Sequence, residues 1–134
     1  MKIKVLDYGY KHLPRRAHYN DAGADVYCLG NYTLNPGDVA KVPLGFGLDL
    51  PDGMMALVMP RSSLSSKGIT CELPPIDSGY SGEIHAIVTN NSNKIVQLIE
   101  DERIGQIVIT PVYTPDFTTE LGESRGSGAF GSTN

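Results

Sequence analysis

The sequence predicts an all-β protein that forms one domain. Short apolar or alternating runs recur between turn signals along most of the chain. Fifteen Gly and nine Pro separate these runs and leave little room for a helix of ordinary length. A length of 134 residues is enough for a single hydrophobic core.

Each apolar run that ends at a cluster of Gly, Pro, Asn or Asp is expected to form a strand. In chain order these runs are residues 3–6, 24–29, 39–42, 46–50, 54–59, 83–89, 95–99 and 104–113. Only residues 62–67 suggest a helical turn. Residues 104–109 are apolar almost without a break, which predicts a strand covered on both faces, either as the central strand of a sandwich or by another subunit.

The composition argues against several classes of function. A net charge of -4 gives no general attraction to nucleic acid, so any phosphate must be bound by a local site. No signal pattern or membrane-spanning apolar run is present, which predicts a soluble cytoplasmic protein without membrane contacts, in the host cytoplasm if a phage or virus encodes it. Cys28 and Cys71, with His12, His18 and His85, lack zinc-ligand spacing, so reduced, packed thiols and no structural metal are expected.

The segment Pro-Ile-Asp-Ser-Gly-Tyr-Ser-Gly-Glu at 75–83 is the most informative part of the chain. It places the carboxylate of Asp77 and the ring of Tyr80 on a tight turn between two apolar runs, where a catalytic base would lie. Gly79 can take the positive φ that the third position of a turn often needs. Asp-x-Gly is also an ordinary hairpin signal, so the segment alone favours turn chemistry over catalysis.

Further polar groups lie at the ends of other predicted strands. The Ala-Gly-Ala-Asp segment at 22–25 leaves an acidic side chain near the start of a strand. The Pro-Arg-Ser-Ser segment at 60–63 could bind an anion through its hydroxyls, N–H groups and guanidinium, although a Ser-capped turn is the simpler interpretation. The Arg-Ile-Gly-Gln segment at 103–106 opens the last strand, where charges are common for solubility alone.

The C-terminal segment at 122–134 has almost nothing to bury and predicts a mobile tail. Most such tails are simply disordered. Arg125 and Phe130 nevertheless lie among glycines, and a guanidinium for phosphate and a ring for a base would make a ligand clamp.

Taken together, in this order and at this spacing, these segments resemble the trimeric deoxyuridine triphosphate nucleotidohydrolases, or dUTPases. The resemblance implies a jelly-roll-like distorted β-barrel over residues 1–121 and a homotrimer with active sites shared between subunits. It also implies that the tail at 122–134 closes over the nucleotide. The implied enzyme is a hydrolase of nucleotide metabolism that converts dUTP and water to dUMP and pyrophosphate with Mg²⁺.

Carried onto this sequence, the resemblance implies a role for each site residue. Asp77 would activate the water that attacks the α-phosphorus, and Tyr80 would pack under the deoxyribose and exclude a ribose 2′-hydroxyl. Asp25 would reach Mg²⁺ through the waters of the ion. The remaining substrate-binding residues would be Arg61, Ser62, Ser63 and Gln106 on the phosphate side, Arg125 on the γ-phosphate and Phe130 on uracil.

The chain departs from the family pattern at a few positions. Pro75 stands where the family commonly has Gly and removes a donor beside the strand that reads the base. Ala129 replaces a frequent Gly in the tail. The loop at 12–21 is unusually basic; it is expected to be solvated, with a surface for a regulatory protein at Arg15 and Arg16 as the alternative.

Competing functions remain at this stage. A deoxycytidine triphosphate deaminase would share the fold and the phosphate site, but such enzymes use a glutamate near the base. A regulatory binding protein rests only on the basic loop. An inactive β-scaffold would have no need of the site residues that this chain carries.

Overall fold

The computed structural model describes residues 1–122, which form ten short strands and one helical turn. The strands are β1 (Lys4–Asp7), β2 (Ala24–Tyr27), β3 (Tyr32–Leu34), β4 (Val39–Pro43), β5 (Phe46–Asp49), β6 (Met54–Pro60), β7 (Ile69–Glu72), β8 (His85–Asn90), β9 (Val96–Leu98) and β10 (Arg103–Pro111). The helical turn α1 (Ser62–Ser65) lies between β6 and β7. The all-β prediction is confirmed.

Every predicted run contains a strand, but β3 and β7 were not predicted. Both are short, and only one side chain in each, Leu34 and Ile69, is fully buried. Neither strand contains two consecutive apolar residues, so no apolar run marks it in the sequence. Their pairing partners, β9 and β8, therefore hold them in place more than their own apolar content does.

Four small antiparallel sheets build the domain, in the strand orders β1-β5, β2-β10-β6, β3-β9 and β4-β8-β7. Their inner faces pack into one core, whose largest fully buried side chains include Phe46, Leu44, Ile69, Ile84 and Ile104. β10 is a central strand between β2 and β6. Its first half is buried at Ile104 and Ile107, whereas Ile109 is only half-buried.

The two cysteines are free and packed, as the sequence predicted. Burial, with a smaller contribution from the nearby Glu72, raises the pKa of the Cys71 thiol to about 11. Burial also raises the pKa of Cys28, whose Sγ lies 3.0 Å from the carbonyl oxygen of Gly30. Both side chains are therefore protonated at neutral pH.

The basic loop at 12–21 is exposed, as expected, but it is fixed to the domain at several points. His12 Nε2 lies 2.9 Å from Asp101 Oδ1. The backbone of Arg15 pairs with that of Asp25 on β2. Within residues 1–122, no helix combines the length and apolar character that a bilayer crossing requires.

Candidate active site

Asp77 and Tyr80 line a cavity of about 250 Å³, here called the Asp77 pocket. The pocket lies between the long connection at 73–84, which joins β7 to β8, and the face of the β4-β8-β7 sheet. Apolar side chains from Val58, Ile76 and Ile84 contribute to its wall. The other lining residues are Lys41, Glu72, Pro74, Pro75, Glu83, His85 and Ile87.

The turn that carries Asp77 is closed by a hydrogen bond from Tyr80 N to the Asp77 carbonyl oxygen at 3.0 Å. Gly79 does not have a positive φ, so the prediction for its backbone was wrong. The turn forms with φ in the ordinary negative range, which any residue at this position can adopt. Glycine at position 79 is therefore not required by backbone geometry.

Tyr80 is held in one orientation at the mouth of the pocket. Its hydroxyl donates to the carbonyl oxygen of Glu83 at 2.6 Å, and its ring packs directly against Gly82. The Tyr8 hydroxyl donates to the carbonyl oxygen of Ser81 at 2.6 Å, and Gly45 N donates to the Glu83 carboxylate at 2.9 Å. Tyr80 as a whole is 45% exposed, so part of the side chain is accessible to a ligand.

Asp25 lies in a second, polar cavity of about 580 Å³, here called the cationic cavity. Its lining includes three guanidinium groups, from Arg15, Arg61 and Arg103. Arg103 Nη1 lies 3.5 Å from Asp25 Oδ2, which is a long and partly exposed ion pair. The remaining lining residues are Ala17, Tyr27, Asp101 and Glu102.

Gln106 lies beside Asp25 because the register of β10 places the two residues directly opposite each other. The same contact explains why the Ala-Gly-Ala-Asp segment has a glycine at Gly23, since a Cβ at that position would collide with the Gln106 side chain. Gln106 Nε2 donates to the carbonyl oxygen of Pro60 at 3.3 Å. The amide is therefore positioned next to the start of α1.

Ser62 and Ser63 are exposed on the first turn of α1. The N-cap residue is Arg61, which makes no side-chain capping bond, so the Ser-capped interpretation of this segment was wrong. The cap has extended backbone, with φ of -81° and ψ of 143°, and the chain turns sharply there after β6. The two serine hydroxyls thus lie at the same end of β6 as Arg61 and Gln106.

The Asp77 pocket and the cationic cavity share no lining residue. Ile76 pairs with Ala56 in an antiparallel bridge, which places Asp77 beside Met55 near the start of β6. Ser62 follows the opposite end of the same strand. At a rise of roughly 3.3 Å per residue, the stretch from Met55 to Arg61 spans roughly 20 Å. One chain therefore does not bring Asp77 and Ser62 together.

Some of the predicted site lies outside the described residues. Arg125 and Phe130, with the tail from 123 onward and the departure at Ala129, belong to this part of the chain. Pro75, the other departure, lines the Asp77 pocket. The missing N–H of Pro75 does not prevent the bridge that follows it, since Ile76 N donates to the Ala56 carbonyl oxygen at 2.9 Å.

The chain is similar to known proteins over most of its length. A family model described as dUTPase matches residues 9–134. The chain belongs to the dUTPase family. A deoxyuridine 5'-triphosphate nucleotidohydrolase from Clostridium tetani is 40% identical over 139 residues, which cover 99% of this chain and 95% of the relative. The corresponding protein from Thermobifida fusca is 42% identical over 128 residues, which cover 90% of this chain and 72% of the relative.

Solved structures share the fold. A mutant dUTPase from phage phi11 of S. aureus, which coordinates a structural Mg(II) ion, has a TM-score of 0.83 at 24% identity and covers 93% of this chain and 99% of that chain. A mutant dUTPase of Staphylococcus bacteriophage 80alpha bound to dUpNHpp has a TM-score of 0.80 at 25% identity, with 99% of both chains covered. The predictions of the family, the jelly-roll-like fold and a dUTP-hydrolysing enzyme are confirmed.

The donor set around Asp25 is compatible with the Mg²⁺ expected of a dUTPase. Within residues 1–122, no three His, Cys, Asp or Glu side chains gather into a metal site. Mg²⁺ does not need such a group, because it commonly keeps several waters and binds through one or two carboxylates and the phosphates of a substrate. Asp25 lines the cationic cavity, where substrate phosphates would be needed to offset the three guanidinium groups beside a bound cation.

Sequence reasoning missed several residues that line the Asp77 pocket and the cationic cavity. Arg103 was noticed only as a charge at a strand entrance, and Arg15 only as part of a basic loop. Lys41, Glu72 and His85 line the Asp77 pocket because they lie on one face of the β4-β8-β7 sheet. Their cross-strand register could not be deduced from the sequence. Alternation along β8 was the one available signal for His85.

Proposed function

We propose that this protein hydrolyses dUTP to dUMP and pyrophosphate at active sites that are shared between subunits. The observation that carries the proposal is the Asp77 pocket: a carboxylate and a partly exposed aromatic side chain border a cavity of about 250 Å³, which suits a nucleoside. Family membership supports dUTP as the nucleotide. Asp77 forms no ion pair within residues 1–122, so its carboxylate is available to bind water.

In the proposed reaction, Asp77 orients a water molecule and accepts its proton. The water oxygen forms a bond to the α-phosphorus while the bond from that phosphorus to the α,β-bridging oxygen breaks, so pyrophosphate leaves. Catalysis of this kind depends mainly on positioning and on electrostatic stabilisation of the phosphates. Tyr80 packs under the deoxyribose and leaves no room for a 2′-hydroxyl.

Each subunit binds the phosphates at the end of β6 that is remote from its own Asp77. Ser62, Ser63 and Gln106 donate hydrogen bonds to phosphate oxygens, and Arg61 supplies positive charge. Asp25 would hold Mg²⁺, which would supply positive charge to the phosphates. Residues 1–121 form the catalytic domain in this proposal, and 122–134 close over the nucleotide, with Arg125 on the γ-phosphate and Phe130 on uracil.

The separation of the two halves of the site supports an assembly with shared sites, and the resemblance to trimeric enzymes supports three subunits. The roughly 20 Å along β6 exceeds the reach of one α-phosphate, so the Asp77 of one subunit requires the Ser62 of another. Exposed apolar side chains also support self-association, because Tyr113 and Phe117 are 94% and 95% exposed. The apolar groove beside Ile107 and Ile109, about 550 Å³ in volume, offers a surface of matching character.

The test is release of pyrophosphate from dUTP with Mg²⁺, measured beside dTTP, dCTP and UTP. We expect release from dUTP alone. Asp77→Asn should lower kcat about a thousandfold, because general-base catalysis typically contributes on the order of 10²–10⁴. Asp52→Asn is a matched control: Asp52 is exposed and accepts a 3.3 Å hydrogen bond from Ser78 without lining the pocket.

Two outcomes would contradict the proposal. One is full turnover by a folded Asp77→Asn variant. The other is ammonia release from dCTP at a rate comparable to dUTP cleavage, which would favour the deaminase. A regulatory protein partner and a cytoplasmic location stay predictions from the sequence.

A further inference from the structure

Arg15 and Arg16 are neighbours in the basic loop, yet their side chains lie in different environments. Arg15 lines the cationic cavity with Asp25 and Arg61. Arg16 lines the apolar groove instead, and its Nε donates to the carbonyl oxygen of Asp21 at 2.9 Å. The loop is therefore not a uniform basic surface.

The backbone of Arg15 is fixed opposite the metal-site candidate Asp25. Asp25 N donates to the Arg15 carbonyl oxygen at 2.7 Å, and Arg15 N donates to the Asp25 carbonyl oxygen at 3.1 Å. Residues that exchange both backbone hydrogen bonds across an antiparallel pair project their side chains to the same face. The Arg15 side chain consequently points to the same side as that of Asp25.

The same row continues across the sheet to Gln106, which is the partner of Asp25 on β10. Neighbouring strands lie about 4.8 Å apart, so the backbones of Arg15 and Gln106 are separated by roughly 10 Å. Asp25 lies between them. A phosphate chain that begins at Gln106 and passes Asp25 would therefore end next to the Arg15 guanidinium.

The charges in the cavity leave Arg15 available for an anion. Arg103 is paired with Asp25, and Asp101 is paired with His12. Within residues 1–122, neither Arg15 nor Arg61 forms an ion pair. A guanidinium presents a planar fork of donors that matches a phosphate, which makes these two groups an anion-binding pair.

We propose that Arg15 is a substrate-binding residue that contacts the terminal phosphates of dUTP, at the far end of the row formed with Asp25 and Gln106. The inference rests on the proposed function and deepens it by assigning one more phosphate ligand. It also gives Arg15 a role in the active site in place of a regulatory surface.

The experiment measures binding of dUpNHpp, a triphosphate analogue, and of dUMP by calorimetry, with Mg²⁺ and again in EDTA. Arg15→Gln should weaken dUpNHpp binding about tenfold in both conditions, the size expected for loss of a charge-assisted hydrogen bond. Binding of dUMP, which lacks the terminal phosphates, should be unchanged. Arg16→Gln is the matched control and should bind both ligands as the wild type does.

Arg15→Lys is a second variant in case Arg15→Gln does not fold. It keeps the charge and loses the fork, so we expect roughly threefold weaker binding of dUpNHpp and unchanged dUMP binding. If the folded variants bind dUpNHpp with wild-type affinity, the role of Arg15 is overturned and the proposed function still stands. An equal loss of dUMP binding would have the same consequence. A wild-type protein that neither binds dUpNHpp nor cleaves dUTP would overturn the proposed function as well.

Discussion

Asn90 joins three segments of the chain through a fully buried side chain. Its Nδ2 donates to the carbonyl oxygens of Leu34 at 2.9 Å and Lys94 at 2.8 Å. Its Oδ1 accepts hydrogen bonds from Ser92 N at 3.0 Å and Ser92 Oγ at 2.7 Å. All the polar groups of this amide are therefore satisfied, and the turn between β8 and β9 is fastened to β3.

Replacing Asn90 by Ala should lower the free energy of unfolding by about 2–4 kcal/mol, because the buried carbonyl groups of Leu34 and Lys94 lose their donor. Asn91→Ala is the control. Asn91 is exposed and donates one bond to Thr70 Oγ1 at 2.8 Å, so we expect a loss below about 1 kcal/mol. Urea denaturation at one fixed protein concentration measures both values. Equal losses would contradict the assigned role of Asn90.

Single residues were predictable where a sequence motif carries the chemistry. Asp77 and Tyr80 were expected to lie together, and they line one pocket because a turn of the chain joins them. Arg15 was predicted only as part of a solvated loop or a protein-binding surface, and Asn90 was not singled out. Their contacts depend on the pairing of distant segments, which composition and periodicity do not reveal.

At the scale of elements, the connection at 73–84 is the part of the fold on which substrate selection should depend. It is long, but it is tied to β6 at Ile76 and to Tyr8 at Ser81. Gly82 allows the Tyr80 ring to lie flat against the chain: a Cβ there would lie 2.6 Å from the Tyr80 hydroxyl oxygen. The absence of a side chain at Gly82 thus permits the position of the Tyr80 ring.

Gly82→Ala should displace the Tyr80 ring and weaken discrimination against the ribose 2′-hydroxyl. We expect the ratio of kcat/KM for dUTP over UTP to fall roughly tenfold or more, since small displacements in an active site have large effects on rate. Gly79→Ala is the matched control from the same turn, because a Cβ added there would meet no atom within 4 Å and the φ of Gly79 is not positive. Steady-state kinetics on both nucleotides measure the ratio. If the two variants discriminate equally well, Gly82 does not position Tyr80.

The strands were predictable where the sequence carries an apolar run between turn signals. β6 and β10 carry long apolar runs and were recognised within a few residues of their ends. β3 and β7 contain no two consecutive apolar residues and were not recognised. The order of the strands within the sheets could not be predicted from the sequence, because pairing such as that of β2 with β10 joins segments far apart in the chain.

At the scale of the whole molecule, the predicted site residues of one chain lie at two opposite ends of β6. Ser62 and Asp77 are close along the chain, yet an extended strand keeps them roughly 20 Å apart. The resemblance to trimeric enzymes implied shared sites. The geometry of one subunit supplies a physical reason for shared sites, since Asp77 and Ser62 of the same chain are too far apart to contact one α-phosphate.

Mixing two inactive variants tests this arrangement directly. Asp77→Asn and Ser62→Ala subunits are combined in equal amounts, exchanged by unfolding and refolding, and assayed for pyrophosphate release. If each site takes Asp77 and Ser62 from different subunits, random assembly should restore about a quarter of the wild-type activity. If both residues came from one chain, this mixture of the two single variants would be inactive. A chain carrying both substitutions, mixed equally with wild type, provides the control: about a quarter of the activity should remain with shared sites, and about a half with sites inside one chain. A site built within one subunit would lower the activity of the first mixture and raise that of the control mixture. Poor refolding would lower the activity of both, so the two causes are distinguishable.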